Sequence, residues 1–195
     1  TSHPIDFTED LIQVYKDCEK LMPLIHLPVQ SGSNKILANM NRKHTAEEYL
    51  EIIKKLKKIN PDIKFSSDFI IGYPGETQDD FEKTVELIKK VEFINSYSFV
   101  YSARPGTPAF NLKKINEIIA KERLTILQNI SKKIKTEYRE TLLNRTMPVL
   151  FENKTKDRNK YFGRDEYFNS VIVESDGSLT GKIKQIKIIK VNQNT

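Results

Sequence analysis

The chain has 195 residues, of which 38% are hydrophobic, and 32 Lys and Arg against 26 Asp and Glu give it a formal net charge of +6. No run approaches the roughly 18 apolar residues of a membrane span, and the first residues lack a signal-peptide pattern, so we expect a cytoplasmic globular protein of one large or two small domains. Because Cys18 is the only cysteine of the sequence, an internal disulfide is excluded.

Three apolar segments each end in a polar loop that contains glycine. MPLIHLPV leads into QSGSN, IKFSSDFII into GYPGET, and INSYSFVY into SARPGT. Runs of this kind, followed in the first two cases by a helical pattern, predict parallel strands whose C-terminal ends meet at one mouth. Chemistry in such α/β folds takes place at that mouth.

Helices are predicted before and between these strands. Apolar residues recur at helical spacing from Thr8, and Cys18 reads as a small hydrophobe on that packed face. A short helix follows Ser33, and Thr45 with Glu48 forms a capping box for the next helix. Thr77 and Asp80 offer a similar cap after the second strand. These elements predict two consecutive β-α-β units.

Three strands are too few to close a barrel, so the fold class we predict is an incomplete (βα) barrel. Its C-terminal strands would occupy residues 1–113, and a long amphipathic helix, packed on the barrel, would occupy 114–145. Because the sequence opens without Met inside a loop-like TSHP, we expect a C-terminal fragment of a longer protein.

From residue 146 the sequence pattern changes to strand-like segments separated by turns. MPVLFEN, YFNSVIVES and LTGKIKQIKIIKV predict a small antiparallel β-barrel or sandwich over 146–195. This part is the more basic per residue, and small β-barrels commonly bind single strands or RNA. Cations alternate with aromatic residues there, a combination that suits RNA, at Arg158, Lys160, Tyr161, Phe162, Arg164 and Phe168. Half or more of those aromatic rings would serve equally well as core.

Five polar residues near the strand ends are candidate ligand contacts. Gln30 and Ser31 leave the first strand, and Ser67 and Asp68 interrupt the second, where a polar group is costly unless it faces a wet or ligand-filled interior. Arg104 follows the third strand and suits a carboxylate or phosphate. Turn and cap chemistry, or a surface arginine, would explain the same residues. No catalytic residue and no metal ligand is identifiable.

Taken together, TSHPIDF, HLPVQSGSNKIL, MNRKHTAEEYL, SSDFIIGYPGET, FVYSARPGTPA and EYFNSVIVE resemble the C-terminal half of the radical SAM tRNA methylthiotransferases, closest to the bacterial MiaB type. The resemblance runs through essentially the whole chain. It implies a radical SAM partial barrel followed by a TRAM domain, an OB-like RNA-binding module. The implied activity is methylthiolation at C2 of N6-isopentenyladenosine, position 37 of tRNA.

The resemblance also implies the cofactors and partners. The family uses S-adenosylmethionine and two [4Fe-4S] clusters, whose six cysteine ligands have no counterpart in this sequence. We therefore expect no cluster and no activity in this chain alone, and we expect the missing N-terminal segments of the same chain to complete the enzyme. Gln30, Ser31, Ser67, Asp68 and Arg104 would face the cofactor or the target adenosine, and the terminal domain would bind tRNA.

Two alternatives remain open from the sequence. One is a sister methylthiotransferase that acts on threonylcarbamoyladenosine in tRNA or on an aspartate of a ribosomal protein. The other is a non-enzymatic RNA-binding module with a degenerate α/β domain. A third class, a phosphate-binding aldolase or isomerase barrel, needs a catalytic Lys or Glu at a strand end, and we identify none with that role at the three loops.

Overall fold

The computed structural model describes residues 2–157 and 159–192, which form two compact units. The first comprises residues 1–21 and 25–135, and the second comprises residues 22–24 and 136–195. No helix within the described ranges combines the length and the apolar character needed to cross a membrane.

The first unit contains a three-stranded sheet. Its strands are β1 (Leu24–His26), β2 (Lys64–Ile71) and β3 (Asn95–Val100), in the spatial order β1-β2-β3. β2 and β3 run parallel, and a parallel bridge joins Gln30, just after β1, to Phe69. The predicted parallel sheet, with its strand ends on one side, is confirmed.

Helices connect these strands and begin where the sequence predicts caps. They are α1 (Glu9–Asp17), α2 (Asn34–Asn39), α3 (Ala46–Ile59) and α4 (Gln78–Val91), with short 3-10 turns at Pro4–Asp6 and Pro108–Asn111. Ser33 caps α2, and both capping boxes, Thr45 with Glu48 and Thr77 with Asp80, are present. Each box satisfies two otherwise unpaired N–H groups and so fixes the start of the helix.

The long helix α5 (Glu117–Glu140) is shorter than the predicted span of 114–145. Its buried Leu127 joins the core of the first unit, together with the partly buried Leu124, Ile130 and Ile134. Asn116 accepts a hydrogen bond from the N–H of Ile118 at 2.8 Å, which closes a turn at the start of the helix.

The two faces of the first sheet differ in polarity. Phe65, Phe69 and Ile71 point into the hydrophobic core and are almost fully buried. The alternate residues of β2 lie on the other face, beside Tyr97 and Phe99 of β3, each of which is 57% exposed. This second face carries the polar side chains described below.

The second unit contains a four-stranded antiparallel sheet. Its strands are β4 (Thr146–Lys154), β5 (Lys160–Asp165), β6 (Ser170–Glu174) and β7 (Ile183–Lys187), in the order β6-β5-β4-β7. The predicted antiparallel β-structure is confirmed, but β5 is not among the predicted strands, since its segment KYFGRD contains Gly, Arg and Asp. Residues of that kind weaken a strand pattern. Its alternate residues Tyr161, Gly163 and Asp165 are nevertheless all buried.

Candidate functional site

The loop after β1 places Gln30 at the end of the first sheet. Its N–H donates to the carbonyl of Asp68 at 2.9 Å, and its carbonyl accepts from Ile70 at 3.0 Å. The backbone of Gln30 has φ = 75°, an uncommon value for a residue other than glycine. Two backbone hydrogen bonds to β2 hold this conformation, so the position of Gln30 is tightly determined.

The next three residues fasten this loop to α4. The N–H of Gly32 donates to the hydroxyl of Thr84 at 2.9 Å, and a Cβ at Gly32 would lie 2.3 Å from the carbonyl oxygen of Lys83. Ser31 is buried, with its hydroxyl 3.3 Å from that of Thr84, and it accepts from the N–H of Ser33. The hydroxyl of Ser31 is therefore engaged with Thr84 and Ser33 inside the protein.

Asp80 of α4 is the polar centre of this attachment. It accepts hydrogen bonds from the hydroxyl of Ser33 at 2.6 Å and from the ammonium of Lys35 at 2.8 Å, besides those of its capping box. Burial acts to raise the pKa of Asp80, but the bonds from Lys35, Ser33 and Thr77 together hold that pKa well below its usual value. Asp80 is thus a structural carboxylate, held ionised by its donors.

Ser67 and Asp68 are adjacent in sequence and lie on opposite faces of β2. The buried hydroxyl of Ser67 donates to the carbonyl of Leu27 at 2.9 Å and accepts from the N–H of Val29 at 3.0 Å, so it ties the segment after β1 to β2 from the core side. Asp68 lies on the other face, 3.6 Å from Nε2 of His26. Ser67 is thus fully buried, whereas the side chain of Asp68 is partly exposed.

His26 also belongs to this polar face, a role that its sequence context does not predict. Its Nδ1 lies 2.7 Å from the hydroxyl of Ser66, and its ring contacts that of Tyr97 edge to face. Because Ser66 holds one ring nitrogen, the other is directed toward Asp68. A histidine in the first strand is recognisable as polar-facing only once its strand neighbours are known.

The loop GYPGET after β2 is held by a buried ion pair. The carboxylate of Glu76 accepts from the N–H of Gly72 at 2.9 Å and from the guanidinium of Arg123 in α5 at 2.8 Å. Burial raises the pKa of Glu76, and the bonds from Gly72 and Arg123 oppose that rise. The loop is a rigid turn locked by its own glutamate.

A cavity of about 880 Å³ opens at the strand ends of the first unit. Three of the five predicted contacts line it, namely Gln30, Asp68 and Arg104. They come from the ends of three different strands, as expected for the mouth of an α/β fold. Ser31 and Ser67 do not belong to its lining, for the reasons given above. Its size falls within the usual range for small-molecule sites.

The cavity also contains polar groups that are not among the predicted contacts. Arg42 lines it just after α2, and desolvation lowers the pKa of its guanidinium. Within the described ranges, the side chains of Arg42 and Arg104 make no hydrogen bond or ion pair, and the buried hydroxyl of Tyr101 has no partner. Two unpaired cations and an unpartnered hydroxyl are features of a site that binds an anionic or polar ligand.

The second unit carries the predicted RNA contacts on the outer face of its sheet. Lys160, Phe162 and Arg164 alternate along β5 on that face, and Phe168 follows in the β5–β6 turn with 51% of its surface exposed. Tyr161 lies on the inner face, 6% exposed, within the small core. Its position makes it a core residue, unlike its neighbours. Arg158 lies outside the described residues.

The residues of this chain do not offer an obvious cluster site. Cys18 follows the end of α1 and is half-buried. Across residues 2–157 and 159–192, no group of three or more His, Cys, Asp or Glu side chains is arranged to hold a metal ion. An iron–sulfur cluster needs thiolate ligands, which one cysteine does not supply.

Comparison with known families and structures agrees with this fold. Residues 1–88 match the model of the radical SAM superfamily. The chain is structurally similar to coproporphyrinogen III oxidase (HemN) of Escherichia coli, a radical SAM enzyme, with a TM-score of 0.57 over 84% of this chain and 45% of that one. At 14% identity, this likeness concerns the fold alone.

Sequence relatives are much closer. The chain is 57% identical over its full length to the tRNA-2-methylthio-N(6)-dimethylallyladenosine synthase of Pelagibacter ubique, and 49% and 48% identical to proteins of the same name from Wolbachia pipientis subsp. Culex pipiens and Rickettsia conorii. It spans 44 to 45% of the length of these relatives. Over its full length the chain is therefore similar to one part of the tRNA-2-methylthio-N(6)-dimethylallyladenosine synthases, and its residues 1–88 match the radical SAM superfamily.

Proposed function

We propose that this chain provides one wall of the active site and the RNA-binding unit of a tRNA methylthiotransferase. The reaction is methylthiolation at C2 of N6-isopentenyladenosine at position 37 of tRNA, in the cytoplasm. Its relatives are named for 2-methylthio-N(6)-dimethylallyladenosine in tRNA, and identity of 57% over the whole chain supports the same product here. The partners are tRNA, S-adenosylmethionine and the segments of the longer protein that this chain does not include.

The observation that carries this proposal is the convergence of Gln30, Asp68 and Arg104 on one cavity. Arg104 suits the methionine carboxylate of S-adenosylmethionine, because a guanidinium binds carboxylates through paired N–H donors. Gln30 and Asp68 suit ribose hydroxyls, as an amide and a carboxylate both accept from O–H. The exposed ring of Phe99 at the cavity offers a surface on which adenine can stack.

S-adenosylmethionine fits the donor set of this cavity, since an unpaired guanidinium and the unpartnered hydroxyl of Tyr101 await polar groups. The clusters of the family do not fit the residues that the structure describes here. We therefore assign this chain the binding and orientation of the cofactor and the nucleoside. Any cluster would be held by other segments of the longer protein, where it would supply the electron that the chemistry requires.

We also propose a division of the chain in three. Residues 1–113 form the C-terminal part of a radical SAM barrel, residues 114–145 the long helix, and residues 146–195 a TRAM domain of OB-like type. The four-stranded sheet and the cluster of Lys160, Phe162, Arg164 and Phe168 on its outer face support an RNA-binding role for the last part. Such a surface combines phosphate contacts with base stacking.

The test is the nucleoside content of tRNA. A bacterial strain that lacks its own methylthiotransferase would receive the full-length protein, either unchanged or as the Arg104→Ala or Lys113→Ala variant. Mass spectrometry of digested tRNA should show 2-methylthio-N6-isopentenyladenosine with the unchanged protein and with Lys113→Ala, an exposed cation outside the cavity. The amount of this modified nucleoside should be strongly reduced with Arg104→Ala. Methylthiolation of threonylcarbamoyladenosine alone, or of no nucleoside, would reject the proposal.

A further inference from the structure

The backbone of Phe168 is strained, although its side chain is too exposed to take part in core packing that would offset the strain. Its φ is 60°, in the left-handed region that a bulky side chain rarely adopts, and its side chain is 51% exposed. Three of the other five non-glycine residues with positive φ are asparagines, for which this region is tolerable. Backbone strain that core packing does not offset clusters at functional positions.

A rigid turn imposes this conformation. Oδ1 of Asp165 accepts from the N–H groups of Tyr167 at 2.9 Å and of Asn169 at 2.8 Å, and Oδ2 accepts from the side-chain amide of Asn169. The N–H of Phe168 donates to the carbonyl of Asp165 at 3.1 Å. Asp165 and Asn169 are both buried, so the turn is anchored in the unit while Phe168 projects from it.

The ring of Phe168 is paired with a cation. The guanidinium carbon of Arg164 lies 5.7 Å from the centre of the Phe168 ring and 5.4 Å from that of Phe162. Glu152 accepts from Nε of Arg164 at 2.9 Å, which fixes the orientation of the guanidinium. Two aromatic rings and a planar cation thus form one preassembled surface.

Apolar neighbours extend this surface across the sheet. Leu150 lies opposite Arg164 in β4, Ile183 lies opposite Leu150 in β7, and Ile172 lies opposite Phe162 in β6. These three side chains are 46%, 67% and 47% exposed. A row of exposed apolar side chains on a soluble unit marks a binding surface.

We infer that Phe168 is held in its strained conformation in order to stack on an unpaired base of single-stranded RNA, with Arg164 beneath its ring. This inference rests on the proposed RNA-binding function and specifies its main contact. RNA is favoured over a protein partner because the surface combines aromatic rings with the cations Arg164 and Lys160. Any base has a flat face, so the contact is expected to be tolerant of sequence.

The experiment compares stability with RNA affinity in the 195-residue chain and its variants. Glycine adopts positive φ without strain, so Phe168→Gly should raise the melting temperature by about 4 °C. The same change should weaken binding of a short fluorescent single-stranded RNA about tenfold, because a stacking contact is lost. Binding of a matched abasic oligomer, which retains the phosphates, should not change. Phe168→Tyr, which keeps the ring, should resemble the unchanged chain in both measurements.

Each other result overturns the inference in a distinguishable way. A lower melting temperature for Phe168→Gly would mean that the residue stabilises the turn and is not strained. Affinity for RNA within about twofold of the unchanged chain would mean that Phe168 does not contact a base, although the proposed RNA-binding function would stand. If the unchanged chain binds neither oligomer, both proposals fail together. Self-association that Phe168→Gly abolishes would identify a protein interface instead.

Discussion

The guanidinium of Arg123 lies 2.8 Å from the carboxylate of Glu76, and both side chains are almost fully buried. Arg123 comes from the long helix α5, whereas Glu76 belongs to the loop that follows β2. Arg123 also donates to the carbonyl of Glu76 at 3.2 Å and lies over the ring of Phe81. The ion pair therefore holds the mouth of the first sheet to a helix more than forty residues away in sequence.

Removal of one partner of this pair should destabilise the first unit strongly. Arg123→Ala leaves the Glu76 carboxylate buried without its cation, and we expect a loss of about 3 kcal/mol in the free energy of unfolding. Lys121→Ala is the matched control, since Lys121 pairs with Glu117 on the exposed face of the same helix and should cost under about 1 kcal/mol. Urea unfolding measures both. Equal losses would show that the buried pair has no special role.

Stability should fall in acid because of Asp80. The pKa of Asp80 is lower in the folded chain than in the unfolded chain, so its stabilising contribution is present above the unfolded pKa, near 3.8, and is lost as the pH falls toward the folded value. Asp80→Asn should cost about 2 kcal/mol at pH 7 and should flatten the dependence below pH 4. Unfolding free energies measured at several pH values would test this. An unchanged slope in the variant would contradict it.

The contact between the first loop and α4 should not tolerate a side chain at Gly32. A Cβ there would lie 2.3 Å from the carbonyl oxygen of Lys83, so Gly32→Ala has to push backbone away from backbone, at a cost of about 3 kcal/mol. Gly177→Ala is the control, because nothing lies within 4 Å of its added Cβ. Thermal unfolding of both variants distinguishes them. Equal melting temperatures would mean that the loop and the helix separate easily.

The two cavity arginines should serve different ligands in the full-length protein. Arg104→Ala should weaken binding of S-adenosylmethionine about tenfold or more and leave affinity for an anticodon stem-loop RNA nearly unchanged. If Arg42 contacts a phosphate of the target nucleotide, Arg42→Ala should weaken binding of the anticodon stem-loop RNA and leave affinity for S-adenosylmethionine nearly unchanged. Equilibrium binding of each ligand to each variant is the measurement, with Lys113→Ala as control. Similar losses for both ligands in Arg104→Ala would refute its assigned role.

Two neighbours in β5 should respond in opposite ways. Tyr161→Ala opens a gap in the small core and should lower the melting temperature of the chain markedly. Arg164→Ala removes an exposed ion pair with Glu152, so it should barely alter stability. The same change should weaken RNA binding and should reduce the salt dependence of that binding by about one phosphate contact. Melting and fluorescence anisotropy at several salt concentrations test the pair. A large loss of RNA affinity in a fully folded Tyr161→Ala would contradict this division.

Local signals in the sequence were sufficient for most of the secondary structure. Short windows of sequence predict the capping boxes at Thr45 and Thr77 and the apolar runs before QSGSN and GYPGET, because these features depend on residues a few positions apart. The same signals failed for β5, because Gly163 and Arg164 weaken its pattern and the strand is stabilised by pairing with β4 and β6. Cross-strand pairing is a tertiary contact that no window of sequence contains.

By itself the sequence determined the family that the chain resembles, the α/β character of the first part, the antiparallel character of the second, and the loops that hold the candidate site. Only the tertiary structure decided which polar groups face the cavity. Ser67 and Asp68 are indistinguishable as polar neighbours in a strand, yet one hydroxyl binds the backbone of Leu27 and Val29 while the other side chain points into the cavity. The face on which a side chain lies follows from strand pairing and helix packing, and those are set by residues distant in sequence.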